Sequence, residues 1–294
     1  MTFKSGSVRA CLLLKGEIKM SDVAVVTGGA SGIGRAIATK LAENHIVVLI
    51  DVNPDGLQEV EKDFADKGGE IISVLGDVSS RQTHVRARAI AEEKGRLIAW
   101  VNCAGLTREA PLHDFPNDSI FMENIIGINQ VGSLWGCAEA VASFTAGKVP
   151  GSIVNISSVH GRRAWRGHAV YEMTKSAVDA LTRNIAVTYG PYGIRANAVA
   201  PGAVLTPALK QAFLDATDSH ERREALERLT PLKRIAEPSE IAEVVVFLLS
   251  PKASYVSGQS IGVEGGWTSA LGMGDLDADL AKRYGLRPDN GLPI

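Results

Sequence analysis

Cysteine is scarce: Cys11, Cys103 and Cys137 are the only three, an odd and scattered set. They show no metal-ligand spacing, which argues against a disulfide framework and a zinc site and suits a reducing compartment. Charge of one sign is lacking too. The chain carries 31 basic and 33 acidic residues for a net charge of -2, so no global field recruits nucleic acid or an anionic membrane. Long hydrophobic runs are also missing. The stretch 10–14 follows Lys4 and Arg9 but is too short for a signal-peptide core, and no later segment is long enough to span a bilayer. No Pro-, Gly- or Ser-rich linker divides the chain and no internal repeat is found. These absences leave a cytoplasmic globular protein with a small-molecule ligand, no metal, no nucleic acid and no membrane.

What is present suits a buried α/β core: 45% apolar residues and 30 glycines in 294. Residues 22–53 read DVAVVTGGASGIGRAIATKLAENHIVVLIDVN, a β-branched run, a glycine-rich turn, an amphipathic helix and a second apolar run. This is a βαβ unit. Gly28, Gly32 and Gly34 let the backbone turn sharply and approach a ligand, and the N–H groups opening the next helix favour a pyrophosphate. Asp51 closes the second strand, where a carboxylate can accept hydrogen bonds from a ribose diol. It would repel a 2′-phosphate, and no basic residue sits beside it in IDVN, so NAD is favoured over NADP. Arg35, the nearest base, belongs to the helix and is expected to face outward.

The alternation continues. A strand over 71–75 ends near Asp77, which suits either an adenine amino group or the cap of a helix starting near residue 79. A strand over 97–101 runs into Asn102, Cys103, Ala104 and Gly105, small enough for close approach to a ribose. A long helical region over 124–142 carries Asn129, either a core amide satisfied by backbone or a functional group. Further strands fall at 153–156, 195–199 and 260–263, with helical segments over 206–232 and 239–249. Helices separating most strands imply a parallel sheet covered on both faces, with ligands at the strands' carboxyl ends. Residues 1–20 lack clear periodicity and are set apart as an N-terminal extension; 21–268 form the expected domain and 269–294 a C-terminal extension.

Residues 151–175, GSIVNISSVHGRRAWRGHAVYEMTK, carry the chemistry. Tyr171 and Lys175 stand one helical turn apart, so phenol and ammonium share a face. The pair is either an ordinary surface contact or an acid/base device, in which the cation draws the phenol towards the working pH. Ser158, at the mouth of the preceding strand, can hold the same substrate oxygen.

Together these residues resemble the short-chain dehydrogenase/reductase family over 22–267. The likeness rests on Thr27-Gly28-x-x-x-Gly32-x-Gly34, Asp77, Asn102-x-Ala104-Gly105, Asn129, Ser158, Tyr171-x-x-x-Lys175, Pro201-Gly202 and Thr206. It implies a Rossmann-type doubly wound sheet of seven parallel strands, order 3-2-1-4-5-6-7, and hydride transfer between NAD and a carbinol or carbonyl carbon. By the same likeness Tyr171 is the acid/base, Lys175 tunes it and bonds the nicotinamide ribose, and Ser158 rather than Ser157 orients the substrate. Asn129 positions a water behind Lys175, and Thr206 bonds the carboxamide. Ser31, Ile33, Val78, Pro201, Gly202 and Val204 join the cofactor contacts, and a homotetramer is the implied assembly. The chain departs from the family in having Cys103 within the Asn-x-Ala-Gly motif and in the length of its tail, which is expected to reach a neighbouring subunit.

The substrate loop is unusually basic. His160, Arg162, Arg163, Arg166 and His168 flank Trp165 and suit a polyol, sugar or hydroxy acid, although the arginines can equally face solvent or a subunit contact. Two other functions compete: an NADPH-linked carbonyl reductase of the ketoacyl-reductase kind, which Asp51 disfavours, and a nucleotide-sensing regulator that has lost chemistry.

Overall fold

Side chains alternate across a strand, so a strand buried on both faces must be apolar at every position. The first strand shows this. In β1 (Asp22–Thr27), Ala24 and Val26 enter one core while Val23 and Val25 enter another, all four fully buried. β2 (Ile46–Asp51) repeats the pattern, with Val47 and Leu49 on the first side and Val48 and Ile50 on the second. Each such side chain contributes roughly 1.5–3 kcal/mol of burial free energy.

The computed structural model describes residues 21–65, 69–117, 119–270, 278–285 and 287. Five more strands complete the sheet: β3 (Ile71–Leu75), β4 (Arg96–Asn102), β5 (Ser152–Ile156), β6 (Arg195–Pro201) and β7 (Ser260–Val263). All neighbours pair in parallel, in the order β3-β2-β1-β4-β5-β6-β7. The order and the seven strands are those expected from the sequence.

Helices α1 (Gly32–Leu41) and α2 (Pro54–Ala65) cover the first face through Ile37, Leu41, Leu57 and Val60. The second face is covered by α3 (Arg81–Lys94) through Ala87 and Ala91. Next come α4 (Ser119–Ile125) and α5 (Gly132–Gly147), which puts Cys137, Ala140 and Phe144 on the second face. α6 (Ala169–Tyr189) joins them through Ile185. After β6 come α7 (Pro207–Leu214), α8 (Ser219–Arg228) and α9 (Pro238–Leu249), the last returning to the first face with Ile241, Val245 and Leu248. The chain's described part ends near α10 (Ala278–Arg283).

The crossovers from β1 and β4 leave the sheet in opposite directions, so a crevice opens at the carboxyl ends of these neighbours. Two local readings change. The helical region over 124–142 is not a single α-helix: Ile126–Val131 widens into a π-helical turn. There Asn129 is pinned to Leu106 while Phe121 and Ile125 pack with Ala110 and Val170, and the extra residue in the turn accommodates both. The helix after Asp77 begins at Arg81 rather than near residue 79, because the Asp77 carboxylate first turns the chain by accepting from the Ser79 N–H at 2.8 Å.

Among the described residues no helix is long and apolar enough to cross a membrane. The extension 1–20 and most of the tail, 271–277 and 288–294, lie outside the described residues.

Candidate active site

The glycine turn after β1 is shaped by close contacts. Gly28 has φ +70°, and a Cβ there would lie 2.8 Å from the Ala104 Cα, so only glycine lets the turn press against the segment after β4. Thr27 locks the same junction, its Oγ1 accepting from the N–H groups of Cys103 at 2.9 Å and Ala104 at 3.0 Å. Gly32 has φ +55° and sits where a Cβ would meet the Thr206 Cγ2 at 3.2 Å, bringing the turn to the start of α7. Gly34 packs directly on the Gly28 carbonyl. Ser31 stands at the N-cap of α1 without a side-chain capping bond, which leaves the helix N-terminus to an anion, and Ile33 packs partly buried on the core.

Asp51 is held at the end of β2 by two backbone donors, Ala30 N–H at 3.0 Å and Asn53 N–H at 3.0 Å. Its charge is thereby fixed beside the turn. Arg35 faces outward as expected and is committed to Glu59 at 3.0 Å and Asp63 at 2.6 Å. The glycine cradle, the uncapped helix start and the fixed carboxylate fit a dinucleotide, with Asp77 and the buried Val78 at the next strand end.

Asn102 behaves differently from its neighbours. Its side chain enters the core, where Oδ1 accepts from Trp100 Nε1 at 3.0 Å and Nδ2 donates to Asn155 Oδ1 at 2.8 Å. Asn155 in turn donates to Thr182 Oγ1 at 2.9 Å. This buried chain ties β4 through β5 to α6. Only the Asn102 backbone, followed by Ala104 and Gly105, remains on the cofactor side.

Tyr171 and Lys175 lie on α6 as the spacing predicts, with the Lys175 Nζ 5.7 Å from the phenol centroid. Ser158 lies close enough to the phenol to draw its pKa down, and its own Oγ accepts from the His160 N–H at 3.2 Å, while Ser157 donates to the Lys175 carbonyl at 3.4 Å. The Lys175 Nζ donates to the Ile156 carbonyl at 2.8 Å. Burial lowers its pKa to about 8, with Cys103 and Asp179 opposing the fall. The expected lowering of the phenol by Lys175 is not the governing effect. Burial pushes Tyr171 up, and Ser158 pulls it part of the way back.

Asn129 is fully buried and satisfied by backbone: Oδ1 accepts from Leu106 N–H at 2.7 Å and Nδ2 donates to the Leu106 carbonyl at 2.8 Å. A second Nδ2 bond reaches Thr174 Oγ1 at 3.1 Å. A Cβ on Gly105 would lie 3.5 Å from both the Asn129 Oδ1 and the Lys175 Nζ, so glycine keeps open the gap between them. The geometry shows the first of the two readings of this amide, a core group satisfied by backbone, and places it near Lys175. Pro201 ends β6, and the Gly202 N–H donates to the Val263 carbonyl at 3.1 Å. Val204 is buried in the core, and Thr206 caps α7 through Leu209 N–H at 3.3 Å.

Around the phenol the structure assembles rings. His160 stacks on His168 at 5.4 Å and meets Tyr171 and Trp267 edge-on at 5.7 and 6.4 Å. Trp165 meets Trp267 edge-on at 6.0 Å. Arg162 and Arg163 bond to nearby backbone. Arg162 donates to the Ser260 carbonyl at 2.9 Å and faces Asp179 at 3.6 Å, and Arg163 donates to the Arg162 carbonyl at 3.3 Å. Trp267 and Thr174 are site residues that sequence reasoning did not single out; a Trp after the last strand carries no spacing signal towards His160.

Among the described residues Cys103 and Cys137 are free thiols, both pushed up to about 12 by burial, and no His, Cys, Asp and Glu cluster could hold a metal.

A family model described as enoyl-(acyl carrier protein) reductase matches residues 28–268. Levodione reductase of Leifsonia aquatica is 36% identical, over 84% of this chain and 94% of that protein. Cis-4-hydroxycyclohexanecarboxylate dehydrogenase of Sinomonas cyclohexanicum is 36% identical, over 86% of this chain and 99% of its own. The crystal structure of a levodione reductase superposes with a TM-score of 0.80 at 33% identity, covering 86% of this chain and all of that one. With the sheet order, the glycine turn and the Ser158, Tyr171 and Lys175 cluster on one side of the crevice, the chain belongs to the short-chain dehydrogenase/reductase family, oxidoreductases of alcohols and ketones.

Proposed function

We propose that the protein is an NAD-dependent dehydrogenase of secondary alcohols, with Ser158, Tyr171, Lys175 and Asn129 as its catalytic group. The observation that carries the reading is the position of the Tyr171 phenol, beside Ser158 and with the Nζ of the buried Lys175 5.7 Å from its ring. The nicotinamide, when bound, supplies the hydride acceptor for the carbinol carbon. The chain's own residues manage the proton. Ser158 holds the substrate oxygen, and Tyr171 accepts its proton as the carbonyl forms or returns it in the reverse direction. Lys175 stabilises the phenolate, the form that takes the proton in oxidation and is left when the proton is returned in reduction, and the ammonium of Lys175 is held by the Ile156 carbonyl. Asn129 and Gly105 flank that ammonium and give it a polar exit.

NAD is supported over NADP by Asp51, fixed by Ala30 and Asn53, and by the engagement of Arg35 with Glu59 and Asp63. Gly28, Ser31, Gly32, Ile33 and Gly34 would hold the pyrophosphate, Asp77 and Val78 the adenine, and Thr206 the carboxamide. A homotetramer in the cytoplasm belongs to the same proposal; Ile120, Leu134, Met173 and Val187, exposed on α4, α5 and α6, support an assembly surface.

The test is Tyr171→Phe, assayed for NADH formation across secondary alcohols and for NADH binding. Loss of turnover by roughly a thousandfold or more with NADH still bound supports the reading. Undiminished turnover in the variant refutes the role of the phenol.

A further inference from the structure

The two imidazoles packed against the Tyr171 ring are not used by the proton chemistry above. Their rings stack at 5.4 Å, and each stands edge-on to the phenol, at 5.7 Å for His160 and 6.3 Å for His168. Hydrogen-bond partners assign their protons. The His168 Nδ1 lies 2.9 Å from the Arg166 carbonyl, which can only accept, so this nitrogen carries the hydrogen. The His160 Nδ1 is buried without a hydrogen bond, and the group it faces is the Glu172 carboxylate at 3.6 Å, again an acceptor. That Glu172 oxygen also receives the Trp165 N–H, which fixes it behind the ring.

An imidazole whose Nδ1 carries the hydrogen presents, when neutral, a lone pair at Nε2. His160 has an exposed fraction of 18% in its side chain although its Nδ1 is buried, so the open part of the ring is away from Nδ1. A second proton is disfavoured there: burial and the neighbouring His168 lower the His160 pKa, against the pull of Glu172. An acceptor at the His160 Nε2, on a ring stacked against a second imidazole, seeks an O–H donor. A carboxylate offers none at neutral pH and would bring a second negative charge towards Glu172. The guanidinium of Arg162, which might have offset that charge, is directed to Ser260 and Asp179 instead. Trp267, edge-on to His160, and Trp165 close the apolar side.

Resting on the reading of this cleft as an alcohol site, we propose that the stacked His160–His168 pair offers one imidazole acceptor to a hydroxyl on the carbon next to the reacting carbinol, so that the enzyme selects vicinal diols and polyols over simple alcohols and hydroxy acids. The pair is a specificity element; Tyr171 remains the acid/base.

The experiment compares kcat/KM with NAD for cyclohexanol, cis-1,2-cyclohexanediol and cis-2-hydroxycyclohexanecarboxylate. The unmodified enzyme, His160→Phe and His168→Phe are assayed in parallel, phenylalanine keeping the ring and removing the acceptor. The diol is expected to exceed cyclohexanol by about tenfold, the gain of one well-placed hydrogen bond, and the hydroxy acid to fall below both. In the variants the ratio of diol to cyclohexanol should fall towards one, chiefly through KM for the diol. If one variant fails to fold, the other supplies the ratio. Equal use of cyclohexanol and diol, preference for the hydroxy acid, or a ratio that survives both substitutions overturns the inference and leaves the dehydrogenase reading standing. Absence of turnover on all three compounds, with NADH bound, counts against the dehydrogenase reading itself.

Discussion

Replacing Asp51 by asparagine tests how the cofactor is chosen. The substitution keeps an oxygen that can accept from Ala30 or Asn53, whose N–H groups now lie 3.0 Å from the carboxylate, so the strand end need not rearrange. It removes the negative charge. Two unit charges about 4 Å apart interact by roughly 4 kcal/mol at an effective dielectric of about 20, and partial exposure and salt reduce this to about 2–3 kcal/mol. At 1.4 kcal/mol per tenfold, the repulsion of a 2′-phosphate is worth roughly 30- to 150-fold. NAD should lose about tenfold as charged hydrogen bonds to the ribose become neutral ones. The ratio of kcat/KM for NADP to that for NAD should therefore rise about a thousandfold, measured with one alcohol and both cofactors, and the rise should shrink in high salt. An unmodified enzyme that uses both cofactors equally, or an Asp51→Asn variant with an unchanged ratio, would refute the argument. Arg35 is not expected to rescue NADP binding, because Glu59 and Asp63 already hold it.

Burial of Lys175, whose pKa falls to about 8, links stability to pH. Between about 8 and the ordinary lysine value near 10.4 the unfolded chain binds the proton and the folded one does not, so stability rises with pH across this window, by up to about 1.4 kcal/mol per unit. In Lys175→Met that contribution should vanish, which denaturant titrations of both proteins at several alkaline pH values will show; parallel curves would count against it. Glu139, 4% exposed and paired with Arg88 at 2.8 Å and Arg81 at 3.2 Å, is the buried charge that joins α3 to α5. Because both arginines are partly exposed, Glu139→Gln should cost about 1–3 kcal/mol, seen as a lower denaturation midpoint with an unchanged m-value, and no loss would show the pair to be neutral.

The sheet was legible because its signals are local. Apolar runs of strand length, helices between them, and a glycine turn between β1 and α1 allow few arrangements, and handedness rules leave fewer. The likeness to a known family then ordered the strands. Tyr171 and Lys175 were legible for the same reason, since one helical turn fixes their common face. What lay beyond local spacing was how distant segments meet. No sequence pattern shows that Asn129 is held by Leu106, a contact that accompanies the π-helical turn over Ile126–Val131. Nor does any pattern show that the Asn102 side chain turns inward to Asn155.

The substrate side shows the division most clearly. Composition alone marked the loop over residues 160–168 as basic and left open whether its guanidinium groups meet an anion or face solvent or a subunit contact. Packing gives Arg162 other partners: α6 buries Asp179 opposite it, and β7 offers it the Ser260 carbonyl. The groups left around Tyr171 are two imidazoles and the indole of Trp267, brought there from beyond the last strand. The sequence by itself determined the sheet, the dinucleotide turn and the Tyr171–Lys175 pair, because repeating backbone geometry converts spacing into position. Tertiary structure alone decided which polar groups face the substrate, because that depends on which competing partners the packed core has already taken.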